Sequence, residues 1–208
     1  TVTTSGDFTL TTAPAPPGTL RVIAGDQGSV SVAAAGGGSF TSLISLTVST
    51  PPDGVTASFS PQLLAPGATA FLTLSVASTV ATGADPFTVT GEAQVDGQVV
   101  TRTAAFLLEV LPRETPAITG RVLTAEALPR PIPGVTVTLG SAFTLTDAGG
   151  NFVLLAPPAG ANMLLVDGRT ASTPTAQYPP VEVNLPVGAS GPTRVPFIIY
   201  LPRLDTPN

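Results

Sequence analysis

An all-β chain of two tandem antiparallel β-sandwich domains is what this 208-residue sequence predicts. Three observations lead there. No stretch sustains the 3.6-residue apolar period of a helix, whereas short runs of alternating apolar and polar residues recur about every ten residues. Gly, Pro, Asp and Asn separate those runs, drawing on 23 prolines and 21 glycines in the whole chain. The length suits two domains of roughly 100 residues each, and a break rich in proline and charge, Pro112-Arg113-Glu114-Thr115-Pro116, falls near the middle. The predicted boundaries are residues 1–111 for the first sandwich, 112–117 for a semi-rigid Pro-flanked linker, and 118–208 for the second sandwich.

In the first half the alternation predicts strands over residues 8–10, 20–23, 29–33, 42–48, 56–59, 70–76, 87–93 and 98–110. Within 70–76, Leu72, Leu74 and Val76 share one face, and Thr73 and Ser75 the other. One face therefore belongs to a core and one to water. Gly25-Asp26-Gln27-Gly28, Pro51-Pro52-Asp53-Gly54 and Pro66-Gly67 mark turns. Asp96-Gly97 between two β runs is a strong short-range hairpin signal. Ala33-Ala34-Ala35-Gly36-Gly37-Gly38-Ser39 predicts a flexible loop between strands; with no Lys and no helix behind it, it is no phosphate-binding loop. The second half predicts strands over 118–123, 134–139, 143–146, 151–155, 163–166, 181–185 and 195–201, with a tight turn at Asp147-Ala148-Gly149-Gly150-Asn151.

Composition narrows function by exclusion. Charged residues make up 10% of the chain, against about 25% in ordinary globular proteins. Cys, His, Lys and Trp are missing, and all eight cations are Arg. The chain thus has no disulfide or thiolate, no imidazole for acid–base work or metal binding, and no lysine for Schiff-base or phosphate chemistry. A net charge of −5 without Lys repels phosphate backbones, which argues against nucleic acid as a partner. No apolar run approaches the roughly 20 residues of a membrane span. The missing initiator Met and leader are what a mature or excised piece would show.

The residues of the first half resemble a bacterial immunoglobulin-like domain, through "LISLTVSTPPDGVTASFSP" (43–61), "PGATAFLTLSV" (66–76) and "FTVTGEA" (87–93). The second half resembles the carboxypeptidase regulatory-like domain, a transthyretin-like sandwich. Ile118-Thr119-Gly120-Arg121-Val122, Ile132-Pro133-Gly134-Val135-Thr136-Val137 and Thr146-Asp147-Ala148-Gly149-Gly150-Asn151-Phe152 carry that likeness. Both resemblances imply modules of large secreted bacterial proteins, where such domains act as spacers, stalks or accessory units. Some transthyretin-like surface domains carry a Lys–Asn crosslink; this chain has no Lys with which to form one.

Candidate site residues are few. Asp26, Asp53, Asp96, Asp147 and Asp167 fall in predicted turns, where Asp caps the local backbone, so no catalytic carboxylate pair is expected and the chain is read as a non-enzyme with no cofactor. Asp147 and Asn151 bracket a Gly-Gly turn and are the calcium candidates, against a plain β-turn in which Asp147 accepts backbone N–H groups. Tyr178, before Pro179-Pro180, is the candidate binding aromatic, against a packing role at a domain edge; Arg169 lies nearby in sequence. The expected function is a non-catalytic extracellular structural module, a stalk, spacer or subunit of a surface fibre. The alternative is an adhesion or carbohydrate- or protein-binding accessory module. The expected partners are neighbouring domains or copies of the same chain, or a surface glycan or protein, at the bacterial cell surface. The low charge and positive mean hydropathy predict exposed apolar faces that neighbours cover. Residues 98–110 and 1–10 are candidate edge strands for donation to a neighbour's sheet, and 1–10 is equally a candidate for an ordinary first strand.

Overall fold

The computed structural model describes residues 6–13, 18–158, 160–185 and 191–204. The chain forms two compact units, Thr1–Val110 and Leu111–Asn208. Both are all-β sandwiches.

Unit 1 packs two sheets face to face. One contains β1 (Asp7–Ala13), β3 (Gln27–Gly37), β7 (Thr69–Val76) and β5 (Val55–Ser60) in the order β1-β3-β7-β5. The other contains β2 (Thr19–Ile23), β9 (Gln98–Leu111), β8 (Gly83–Val95), β4 (Ile44–Val48) and β6 (Leu63–Leu64) in the order β2-β9-β8-β4-β6. Chain order places strands one, two, five and four of an immunoglobulin sandwich in the first sheet and strands three, six and seven in the second, with β2 and β6 as additions at its two edges. Alternation builds the core: Ala70, Leu72, Leu74 and Val76 of β7 are buried while Thr69, Phe71, Thr73 and Ser75 face out. Phe87 and Phe106 stack with ring centroids 5.4 Å apart on neighbouring strands, and Phe8 meets Phe40 at 5.2 Å. The β8–β9 hairpin runs from Gly83↔Val110 to Val95↔Gln98. Asp96 and Gly97 close it with φ of 50° and 78°, the left-handed pair of a two-residue hairpin turn.

Three expectations are revised here. Ala33–Gly37 is not a loop: it extends β3 and pairs with β1 from Thr11↔Ala33 to Asp7↔Gly37, because alanine and glycine fit the pleat wherever a partner strand supplies the ladder. Strand β9, expected as an edge strand, is an inner strand between β2 and β8. Residues 7–10 of the expected N-terminal donor segment are taken up by the unit's own β3, while Thr1–Ser5 lies outside the described residues. The two-residue β6, which pairs Leu64 with Ile44, has too little alternation to be read from sequence.

Unit 2 is built from shorter strands. One sheet has the order β12-β11-β14-β15, from β11 (Thr136–Leu139), β12 (Ala142–Leu145), β14 (Met163–Asp167) and β15 (Pro180–Asn184). The other centres on β10 (Ala117–Thr124), flanked on one side by the antiparallel β13 (Asn151–Leu155). On its other side lie β16 (Pro192–Arg194) and then β17 (Ile199–Leu201), both parallel to β10. Of the strand expected over 195–201, only Ile199–Leu201 is strand, and the short β16 lies ahead of that range. Pro196 has no N–H to give the ladder, and pairing resumes only at Ile199. Ile118, Val122, Val137, Leu139, Leu154, Leu164 and Val166 are fully buried in the core between the sheets. Among the described residues no helix is long and apolar enough to cross a membrane.

Candidate functional site

The turn that joins β12 to β13 holds the residues singled out for calcium. Asp147 Oδ1 accepts the backbone N–H of Gly149 at 2.9 Å and of Asn151 at 2.8 Å. The Asn151 side-chain amide donates to both carboxylate oxygens at 3.2 Å. The backbone N–H of Asp147 donates to Asn151 O at 2.7 Å, and Gly150 N–H donates back to Asp147 O at 2.9 Å. The structure therefore brings Asp147 and Asn151 together, and it employs the carboxylate in closing the turn, which is the role Asp commonly takes in such loops. Gly150 sits at φ 76°, and a Cβ there would lie 2.3 Å from the carbonyl oxygen of Val122. Only glycine lets the loop press this closely on β10. One residue earlier, the buried Thr146 hydroxyl donates to Ile132 O at 2.7 Å and accepts the Val135 N–H at 2.9 Å. Arg121 Nε reaches Gly149 O at 3.0 Å from the neighbouring strand. Among the described residues no three Asp or Glu side chains converge as a metal-holding group.

Tyr178 is half-buried and packs against the core of unit 2. Its backbone N–H donates to Ser172 Oγ at 3.0 Å, and its Cβ lies so close to Gly168 that a side chain on that glycine would collide with it. Its geometry is that of a packing residue. Arg169 opens a 3-10 turn (Gly168–Ala171) and forks onto Asp167, with Nε and Nη2 each 2.8 Å from a carboxylate oxygen. That guanidinium, together with the Arg169 backbone N–H, holds the Asp167 carboxyl below its ordinary value against the opposing effect of partial burial. Thr170 beside it accepts the Thr136 N–H at 2.9 Å, so the turn is sewn to β11. Ser172 ties the two stretches together, its N–H donating to Arg169 O at 3.2 Å and its Oγ accepting the Tyr178 N–H.

What the sequence did not single out are the outer faces of the sheets. On β12-β11-β14-β15, the register Thr138↔Phe143, Thr136↔Leu145 and Thr138↔Leu165 puts Phe143, Leu145, Met163 and Leu165 on the face turned away from the core. Phe143 is 73% exposed and Leu145 56%. In unit 1, Leu63, Ser45, Glu92 and Thr101 form one outward row across four strands, and Leu43, Leu63 and Val99 are exposed. By contrast the outer face of β1-β3-β7-β5 carries Thr9, Thr11, Ser31, Thr56, Ser58, Ser60, Thr73 and Ser75 around the single large apolar group Phe71. The available signal was the strand "AFTL", in which Phe and Leu alternate with small residues; which side faces out depends on the register with β11.

No family model matches the sequence, and no curated protein does. Solved structures with similarity include the sialic acid binding region of a Streptococcus sanguinis adhesin, at 13% identity over 74% of this chain and TM-score 0.38. This chain spans 47% of that structure's length. Others are the surface layer protein SbsC, domains 1–6, at 14% identity over 87% of this chain and 26% of that one, TM-score 0.37, and the Salmonella enterica SafA pilin with its SafB chaperone, at 12% identity over 86% of this chain and 96% of that one, TM-score 0.34.

Proposed function

We propose that this chain is a non-catalytic structural module of a bacterial extracellular or cell-surface protein, a spacer that carries neighbouring domains or copies in series. The observation that supports this most is where the backbone enters and leaves each unit. In unit 1, Asp7 at the start of β1 pairs with Arg102, while the chain leaves at Leu111, nine residues or roughly 30 Å further along β9. In unit 2 the first strand and the last are parallel: Ala117 opens β10, and Leu201 ends β17 beside Thr124, seven residues or roughly 23 Å along. Each unit therefore takes the chain in at one pole and releases it at the other, as a spacer requires. The mass and outline of the native assembly, by light scattering and electron microscopy of material from its source, test this. Elongated particles or filaments are expected; a compact monomer would overturn it.

A second reading, a docking or adhesive module, draws on the outward Phe143, Leu145 and Met163, since contiguous exposed apolar area marks interaction surfaces. Phe143→Ser combined with Leu145→Thr removes that area without touching the core, and loss of binding to a glycan or protein array in the double variant would favour this reading over the first.

A further inference from the structure

We propose that unit 2 is a load-bearing shear clamp, formed by β10 held lengthwise by the parallel last strands β16 and β17; this rests on the structural-module reading above. Parallel pairing of the first and last strands has a mechanical consequence. Tension drawn through the chain pulls β10 back towards Ala117 and pulls β17 onward past Leu201, so the two slide along each other. Inter-strand hydrogen bonds lie across that motion and must fail together, whereas bonds in an antiparallel pair pulled from one end fail one after another. The grip covers both halves of β10: Ala117, Ile118 and Thr119 pair with β16, and Val122, Leu123 and Thr124 pair with β17. Between them the Val195 N–H donates to Thr119 O at 2.8 Å, so the interruption at Pro196 leaves little of the strand unheld.

The chain is also fastened where it leaves. Ala125 N–H donates to Leu201 O at 2.9 Å, Leu204 N–H donates to Gln177 O at 2.8 Å, and Arg203 reaches the Thr175 carbonyl and the Glu126 carboxylate. Residues 202–204 thus continue the hold after the last strand ends. Side chains add to it from the core, where Ile118 and Val122 of β10 and Ile199 and Leu201 of β17 are buried in one cluster. With no Lys and no Cys in the chain, the clamp works by backbone ladder, packing and the Arg203 contacts, without a disulfide or a lysine crosslink.

The absence of Cys makes the test direct, since every thiol handle is unique. Glu114→Cys with Leu204→Cys pulls the full chain across the clamp. Glu114→Cys with Pro157→Cys pulls at the adjoining ends of β10 and β13, where Ala117 faces Leu155, and peels that antiparallel pair from its end. In single-molecule force spectroscopy at one pulling rate, rupture for the 114/204 pair should be at least about twofold higher in force than for 114/157, because forced unfolding reads the barrier along the pulled direction. Equal melting of both double variants and the parent chain shows that the handles leave the fold intact. Equal or lower force for 114/204 overturns the clamp while leaving the spacer reading standing. A strong clamp in a chain whose native particles are compact monomers overturns the spacer reading instead.

Discussion

The two units reach the same architecture by different means. Unit 1 has long ladders, with thirteen register pairs in the β8–β9 hairpin alone, and its strands alternate cleanly between core and solvent. In unit 2 every strand except β10 is three to five residues long, and the ladder is supplemented by particular local devices: the Thr146 hydroxyl, the Asp147 turn, Gly150 against β10, and Thr170 against β11. Long ladders spread stability over many equivalent contacts. Short strands leave a larger share of backbone groups at their ends, and those groups need side-chain partners. The outer faces differ in parallel, hydroxyl-rich over β1-β3-β7-β5, whereas that of β12-β11-β14-β15 sets Phe143, Leu145, Met163 and Leu165 among Thr136, Thr138, Glu182 and Asn184.

This contrast can be broken by substitution. The largest effect is expected from Phe87→Ala, which empties the stacked pair with Phe106 in the core of unit 1 and should cost about 3–5 kcal/mol. Chemical denaturation followed by amide NMR, resonance by resonance, assigns the loss to unit 1. Gly150→Ala is its counterpart in unit 2: a left-handed backbone position and a collision with Val122 O together should cost about 3 kcal/mol, with amide protection lost first around β10 and β13. If Gly150→Ala left the melting of unit 2 unchanged, the view that this unit depends on special positions would fail.

Thr146→Val sharpens the comparison further. It keeps the shape and removes the hydroxyl, leaving the buried Val135 N–H and Ile132 carbonyl without that partner, for an expected loss of about 2 kcal/mol. Thr146→Ser, which retains the hydroxyl, should recover the greater part. Arg169→Ala is the smallest change. Its ion pair with Asp167 is exposed and largely screened by solvent, so the effect on melting is expected to be the least of the four. The Asp167 carboxyl is held below its ordinary value in the folded chain, so its contribution is present above the ordinary Asp pKa and fades as pH falls through the depressed one. NMR titration should show the Asp167 midpoint rising in the Arg169→Ala variant; an unmoved midpoint would mean that Arg169 is not its cause.

The periodicity of the sequence determined the class, because a two-residue alternation bounded by Gly and Pro has only one good solution, a half-buried strand. Asp96-Gly97 and Asp147–Asn151 were legible as turns for the same local reason: their conformations are set by the residues themselves. The pairing partners were not legible. Nothing local says that Ala33–Gly37 finds β1, that β9 lies inside its sheet, or that residues 192–194 and 199–201 form two short strands that both lie parallel to β10. Nor does "AFTL" say which face turns outward, since a one-residue shift in register against β11 would bury Phe143 and expose its neighbours. Asp147 and Asn151 bond to each other within their turn, whereas the packing of Tyr178 against the core of unit 2 depends on residues distant in sequence. Alternation is a property of one strand, whereas edges, register and the direction in which a chain enters and leaves its fold belong to pairs of strands far apart in sequence.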